Sequence, residues 1–269
     1  MKIILQKKEL LKLIKDQKNL GFVPTMGALH LGHISLIKKS IRLCNKTIVT
    51  IFINRPQFNR KNDYNKYPRL LNKDIKILKK LKIDFLYLPK HNDIYPVGIS
   101  KNLKIHSLSK KLCGKFRPKH FNAVVDVVER FIKIINPRKI FFGEKDMQQL
   151  KIIEDYVNKN YKKIKVISCK TIREKNGIAY SSRNFLLSKK EKSIASKVYK
   201  YLLKNKIKLI NNKFFLKIIK KNILKFGVNK IDYIESIDVN KLIKPHKKKI
   251  KHKIFIAYYL RKIRLIDNI

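Results

Sequence analysis

Short apolar runs alternate with helical patterns along the first two thirds of the chain, and this alternation limits the fold more than any other feature. GFVPT (Gly21 to Thr25) reads as a strand end, and Leu29 to Cys44 as an amphipathic helix. TIVTIFI (Thr47 to Ile53) is a β-branched run suited to a central parallel strand. A helix over about Leu70 to Leu81 and the strand DFLYL (Asp84 to Leu88) follow. The pattern then repeats: a helix near Phe121 to Ile135, the strand KIFF (Lys139 to Phe142), a helix from about Asp146 to Lys159, and the strand IKVIS (Ile164 to Ser168). Such alternation requires a parallel sheet with helices on both faces. The expected class is therefore α/β, a Rossmann-like doubly wound parallel sheet.

After about Ser182 the texture changes. Lysine-rich helical stretches, Lys189 to Lys204 and Phe214 to Lys225, precede the strand-like runs DYIESI (Asp232 to Ile237) and KIFIAYYL (Lys253 to Leu260). Helices followed by strands predict a small C-terminal α+β domain, with the division placed at 1–180 and 181–269. The lysine run Lys247 to Lys249 reads as a solvated turn between those strands.

Charge is the loudest compositional fact. Lys and Arg total 66 against 18 Asp and Glu, a formal net charge of +48. Taken alone, that predicts a polyanion partner such as nucleic acid. Lysine, however, is spread over nearly every segment and alternates with isoleucine, while tryptophan is absent. A nucleic-acid site concentrates basic residues on one face with aromatics for stacking. Codon-driven drift is the preferred reading, and no specific nucleic-acid partner is expected. Hydrophobic residues make up 44% of the 269, enough for a core rather than disorder. The three cysteines, Cys44, Cys113 and Cys169, are too sparse for a disulfide framework and suggest reduced thiols. The charge-punctuated first residues lack the apolar core of a signal peptide, and no run approaches the roughly 18 apolar residues of a membrane span. A cytoplasmic protein without membrane association is expected.

In an open parallel sheet, ligands bind beyond the carboxyl ends of the strands, and the chemistry-bearing segments all fall there. In PTMGALHLGH (Pro24 to His33), Gly27 sits in the strand-to-helix turn and Gly32 in the first helical turn. Missing side chains at both places let a nucleotide lie against backbone, with its phosphates facing helix N–H groups. His30 and His33 share one face and can donate to phosphate oxygens as charge builds. A metal pair is a weaker reading, because HxxH supplies two ligands and no third is evident. Asn54 and Gln57 follow a buried-type strand, where neutral amides suit a carboxylate or hydroxyl substrate, although by itself the segment reads better as an ordinary polar loop with an Asx-turn. In FGEKDMQQL (Phe141 to Leu150), Lys145 can reach phosphates as a point charge and Asp146 can cap a helix or hold a ribose or metal. In REKNGIAYSSRNFLLS (Arg173 to Ser188), the Ser-Ser-Arg turn reads either as an oxyanion clamp or as a helix cap. No nucleophile triad is evident, which fits adenylate formation, where the substrate's carboxylate attacks the α-phosphate and the protein supplies position and charge neutralisation.

Taken in order, these segments resemble the pantothenate synthetase family of the HxGH nucleotidyl-transferase superfamily. The correspondence includes PTMGALHLGH, IFIN with QF, YPR (Tyr67 to Arg69), IYP (Ile94 to Pro96), RPKHF (Arg117 to Phe121), FGEKDMQQL, SSRN (Ser181 to Asn184) and RLIDN (Arg264 to Asn268), essentially the whole chain. The resemblance implies a two-step ligase: pantoate attacks ATP to give pantoyl adenylate and pyrophosphate, then the β-alanine amine displaces AMP. It implies ATP binding by Met26, Gly27, Ala28, Leu29, His30, Leu31, Gly32 and His33, by Gly143, Glu144, Lys145 and Asp146, and by Ile172, Tyr180, Ser181, Ser182 and Arg183. His33, His30 and Lys145 would be catalytic, and Gln57, Gln149 and Asn54 would hold the acid substrate. Mg2+ would accompany ATP, no protein-held metal site is implied, and the family is typically a homodimer with a C-terminal lid.

Two departures stand out. The family usually reads Asn-Pro-x-Gln-Phe, whereas Arg55 here precedes Pro56 and the proline is displaced by one. A glycine common after RPKHF is Ala123 here, and positive φ at that position would strain alanine by on the order of 1 kcal/mol. Two rival readings stand beside the ligase: another HxGH adenylyl-transferase, synthetase-like proteins included, and a nucleic-acid-binding protein on a degenerate enzyme scaffold. The first lacks a KMSKS-type motif, and the second leaves the retained chemical groups unexplained.

Overall fold

The strands of the first two thirds all run parallel, as β–α alternation demands. The computed structural model describes residues 1–100, 103–209, 213–238 and 252–269. Contacts divide the chain into two compact units, Met1–Thr171 and Ile172–Ile269. The division falls earlier than the expected 180/181 because the turn after Thr171 belongs to the second unit. Arg173 and Ala179 form an isolated bridge there, and Ile178 joins that unit's core.

The first unit holds strands β1 (Lys2–Ile4), β2 (Leu20–Thr25), β3 (Lys46–Ile51), β4 (Phe85–Tyr87), β5 (Lys139–Gly143) and β6 (Lys165–Cys169) in the order β1-β4-β3-β2-β5-β6. Chain order runs outward from β2 to β4 on one side and from β5 to β6 on the other. The β2/β5 boundary is thus the topological switch point. Its helices are α1 (Lys7–Ile14), α2 (Leu31–Leu43), α3 (Lys61–Asn65), α4 (Leu71–Lys80), α5 (His91–Ile94), α6 (Cys113–Phe116), α7 (His120–Ile135) and α8 (Met147–Asn160). Strands buried on both faces explain the near-continuous apolar runs. On one face Phe131 of α7 meets Phe22, Phe52 and Tyr87 at ring distances of 5.5, 6.0 and 6.5 Å. On the other, Val23, Val49, Leu86 and Phe141 pack with Leu36, Ile37 and Leu78 from α2 and α4. Each such side chain contributes about 1.5–3 kcal/mol on full burial.

Two features of β2 shape the switch point. A Cβ on Gly21 would lie 2.2 Å from Ser40 Oγ, so only glycine lets α2 pack this close. Pro24 lies in a central strand, where proline is ordinarily excluded. The explanation is its direction. Leu20 accepts from Arg138 N, so by the two-residue period of a strand the backbone groups of residues 20, 22 and 24 face β5. The β2–β5 pairing ends at Phe22, whereas β2–β3 continues to Thr25. Proline stands where the ladder toward β5 would otherwise acquire its next donor.

The second unit holds α9 (Lys189–Lys204), α10 (Lys213–Lys225), and the antiparallel strands β7 (Lys230–Asp238), β8 (His252–Leu260) and β9 (Ile263–Asn268), in the order β7-β8-β9. Its α+β core gathers Ile178, Val198, Leu202, Ile219, Ile223, Ile234, Ile254 and Ile256. The Ser188 hydroxyl and Glu191 form a capping box that starts α9. The run at Lys247 to Lys249 lies outside the described residues. β1 and α1 precede the first strand expected from the sequence, and RLIDN lies in the last strand, β9. All three cysteines are free thiols. Among the described residues no helix is long and apolar enough to cross a membrane.

Candidate active site

PTMGALHLGH leaves β2 at the switch point and enters α2 through two consecutive left-handed residues, Gly27 (φ 78°) and Ala28 (φ 50°). Left-handed backbone at alanine costs roughly 1–2 kcal/mol, so the surroundings must hold the turn. The holder is Asp74 of α4, which is 1% exposed. Its Oδ2 accepts from Ala28 N and its Oδ1 from Leu29 N, both at 2.8 Å. The Thr25 hydroxyl donates to Thr50 O and accepts from Gly27 N, fastening the turn's first residue. Ala28 and Leu29 side chains are buried. Both residues shape the turn, their N–H groups directed to Asp74.

His30 caps α2: its Nδ1 accepts from Gly32 N at 3.1 Å. An accepting Nδ1 places the ring proton on Nε2. The His30 and His33 rings stack 4.0 Å apart, as the three-residue spacing predicts. Burial, then the neighbouring His33 and Lys145, push the His30 pKa down to about 2. Burial also lowers His33, to about 4, with Asp146 opposing and Lys145 reinforcing the shift. Both imidazoles are thus neutral at pH 7. His33 Nδ1 is buried and without a hydrogen-bond partner among the described residues. A buried polar atom left without a partner is uncommon and marks a strained, catalytic or ligand-directed group.

Lys145 and Asp146 occupy the turn between β5 and α8, with Lys145 Nζ 3.2 Å from the Asp146 carboxylate. Their influence on the histidines unites the two motif segments, drawn from either side of the switch point, into one electrostatic cluster. Gly143 ends β5, and Glu144 begins the short turn that carries Lys145. In the first turn of α8 the two glutamines part ways. Gln148 is buried, accepting from Cys113 N and donating to Leu108 O and Lys111 O. Gln149 is only partly buried.

The loop after β3 resolves the two departures noted above. Arg55–Gln57 form a 3-10 turn in which Pro56 fits an initial position. Ala123 lies inside α7 and is not among the positive-φ residues; the left-handed residue of that stretch is Lys119 (φ 60°). Alanine is therefore unstrained. Its carbonyl accepts from Asn54 Nδ2 at 3.0 Å. Asn54 is 1% exposed, also donates to Gln57 Oε1, and accepts from the Tyr95 hydroxyl at 2.8 Å. The Asn54 amide, expected to hold substrate, bonds here to three groups of the protein, Gln57 among them. The Gln57 carbonyl is fixed in turn by Arg117 and by His120 Nδ1 at 2.8 Å. Gln57 Nε2 donates to Met26 Sδ at 2.9 Å. A thioether is a weak acceptor, so an entering carboxylate or hydroxyl can displace it.

Ile172, Tyr180, Ser181, Ser182 and Arg183 belong to the second unit. Ile172 O accepts from Tyr180 N, Ser182 is buried, and the Ser181 hydroxyl accepts from Arg183 N at 3.3 Å as the cap of a 3-10 turn. Arg173 forms a two-point pair with Asp267 at 2.7 and 2.9 Å and stacks 4.4 Å over Tyr199. RLIDN thus ties this turn to β9. Asp74, Tyr95, Arg117 and His120 carry roles that residue spacing did not disclose; for all but Asp74, membership of IYP or RPKHF was the available signal.

Comparison with known proteins identifies the family and the fold. The model of the pantoate-beta-alanine ligase family matches residues 2–269. A pantothenate synthetase from Clostridium botulinum is 41% identical over 266 residues, covering 97% of this chain and 95% of the relative. One from Pseudothermotoga lettingae is 36% identical over 272 residues, covering 100% and 97%. Among solved structures, a pantoate-beta-alanine ligase from Francisella tularensis, complexed with beta-gamma ATP and beta-alanine, is similar at a TM-score of 0.88 and 37% identity, covering 100% of this chain and 97% of that one. A pantothenate synthetase from Thermus thermophilus aligns at a TM-score of 0.91 and 29% identity, covering 100% and 99%.

Proposed function

We infer that this chain, which belongs to the pantoate-beta-alanine ligase family, condenses pantoate with β-alanine at the expense of ATP through a pantoyl adenylate. The observation that carries the reading is the stacked pair of neutral imidazoles beside Lys145 at the switch point. Attack of a carboxylate on the α-phosphate builds negative charge on phosphate oxygens. His30 Nε2–H is a preorganised neutral donor for that charge, His33 is its stacked partner, and Lys145 is the adjacent cation. In the first step the pantoate carboxylate oxygen bonds to the α-phosphorus and pyrophosphate leaves. In the second the β-alanine amine attacks the acyl carbon, loses a proton, and AMP leaves. Gln57 and Gln149 hold pantoate, Gln57 exchanging its thioether contact for the substrate. Ile172, Tyr180, Ser181, Ser182 and Arg183 are assigned nucleotide contacts on the family resemblance, with the second unit as the lid of a homodimeric cytoplasmic enzyme.

Mg2+ enters with ATP. Asp146, beside Lys145 in the turn after β5, is a carboxylate that could face such an ion, with the phosphate oxygens supplying most of its ligands. Bound there, it would neutralise phosphate charge. The test is direct: purified protein with ATP and Mg2+ should release pyrophosphate only when pantoate is present, and AMP once β-alanine is added. Pyrophosphate release independent of pantoate, or none at all, overturns the reading.

A further inference from the structure

We propose that Asp74 is a positioning residue for the α-phosphate chemistry, holding the left-handed turn that aims His30 and His33. The proposal rests on the ligase reading and extends it to a helix that carries none of the family motifs considered above. Three observations support it. The Asp74 carboxylate is 1% exposed yet stands in the first turn of α4, where the positive end of a helix favours an anion. Each of its oxygens takes one backbone N–H of the turn, Ala28 and Leu29, at 2.8 Å. Those N–H groups follow Gly27 and Ala28, at φ 78° and 50°, a pair of left-handed residues that orients successive N–H groups toward one anion. A Cβ on Gly27 would come within 3.0 Å of Asp74 Oδ2. The carboxylate and the glycine are therefore a matched pair. His30 follows directly, its Nδ1 fixed on Gly32 N. Rotation of the turn would carry both imidazoles off the phosphate, and small misplacements are costly for groups that act by orientation.

An asparagine at position 74 would keep the shape and accept one N–H, but would set its own NH2 against the other. Alanine would accept neither. The expected order of kcat is therefore wild type, Asp74→Asn, Asp74→Ala, with losses of about 10-fold and about 100-fold, the scale of losing an oriented phosphate-directed group. kcat is measured as pantoate-dependent pyrophosphate release per folded molecule, well below each variant's Tm, and KM for pantoate should stay within about threefold of wild type on the same scale. Amide exchange in the wild-type protein provides a second readout that needs no variant: Ala28 and Leu29 should be protected without any nucleotide. Fast exchange of both amides overturns the proposal whatever the variants do. So does an Asp74→Ala kcat within twofold of wild type, or a pantoate KM that rises in step with the fall in kcat, the mark of general loosening. A wild-type protein with no pantoate-dependent turnover sinks the ligase reading instead, and is recognised before any variant is made.

Discussion

Lowering the pH from 8 to 5 should destabilise the first unit through its two histidines, by an amount the structure allows to be worked out. In the folded protein His30 and His33 bind a proton only near pH 2 and pH 4. Unfolded, each binds one near pH 6.5. Between these values the unfolded state holds more protons, so stability rises with pH and is lost as pH falls below 6.5. At pH 5, one and a half units below that value, each histidine must shed its proton to fold, at about 2 kcal/mol apiece and about 4 kcal/mol together. The mutual repulsion of the two rings does not enter, because at pH 5 neither is charged in the folded state. Lys145 opposes protonation of both, and Asp146 favours that of His33. The assay is urea unfolding across pH 5 to 8, for wild type and His33→Gln, followed by a probe in the first unit. The variant should lose about 2 kcal/mol less than wild type over that range. Equal losses in the two proteins would refute the reasoning. So would a kcat profile in wild type that breaks near pH 6.5 and no longer does so in the variant, since the folded imidazoles would then titrate at their ordinary value.

Three further outcomes follow from the site and the second unit. His33→Ala should lower pyrophosphate release by at least about 10²-fold, and wild-type turnover would remove His33 from the mechanism. Tyr95→Phe deletes the hydroxyl that anchors Asn54; it should cost about 1 kcal/mol of stability and raise KM for pantoate more than KM for ATP in steady-state kinetics. Asp267→Ala leaves Arg173 without its two-point partner, and should destabilise the second unit by about 3 kcal/mol in denaturant titration, with little effect on the first.

Much of the fold was legible because each strand of the sheet centre is buried on both faces and each helix on one. TIVTIFI could hardly be anything but a central strand, and α9 was foreseen to its end residues. The parts that the sequence does not display are short or depend on distant partners. β1 has only three residues, two of them exposed, so it shows neither alternation nor a sustained apolar run. β9 hides in a motif whose charge, Asp267, is explained only by Arg173 far away in sequence. The site divides along the same line. His30, His33, Lys145 and Asp146 lie in local patterns with local consequences. Asp74 is an ordinary acid on an amphipathic helix until the turn it holds is seen, and the internal partners of Asn54 come from three segments that spacing alone does not bring together.

Pro24 has a consequence for where the sheet stops pairing. A sheet whose central strands could go on pairing would close over its own switch point, and a nucleotide would first have to break those hydrogen bonds. By withholding the next donor, a proline in the middle of the sheet lets the β2–β5 ladder stop at Phe22 while β2–β3 runs on to Thr25. The end of that ladder is thus written into covalent structure, and a ligand seated at these strand ends would have no β2–β5 hydrogen bond at Pro24 to break.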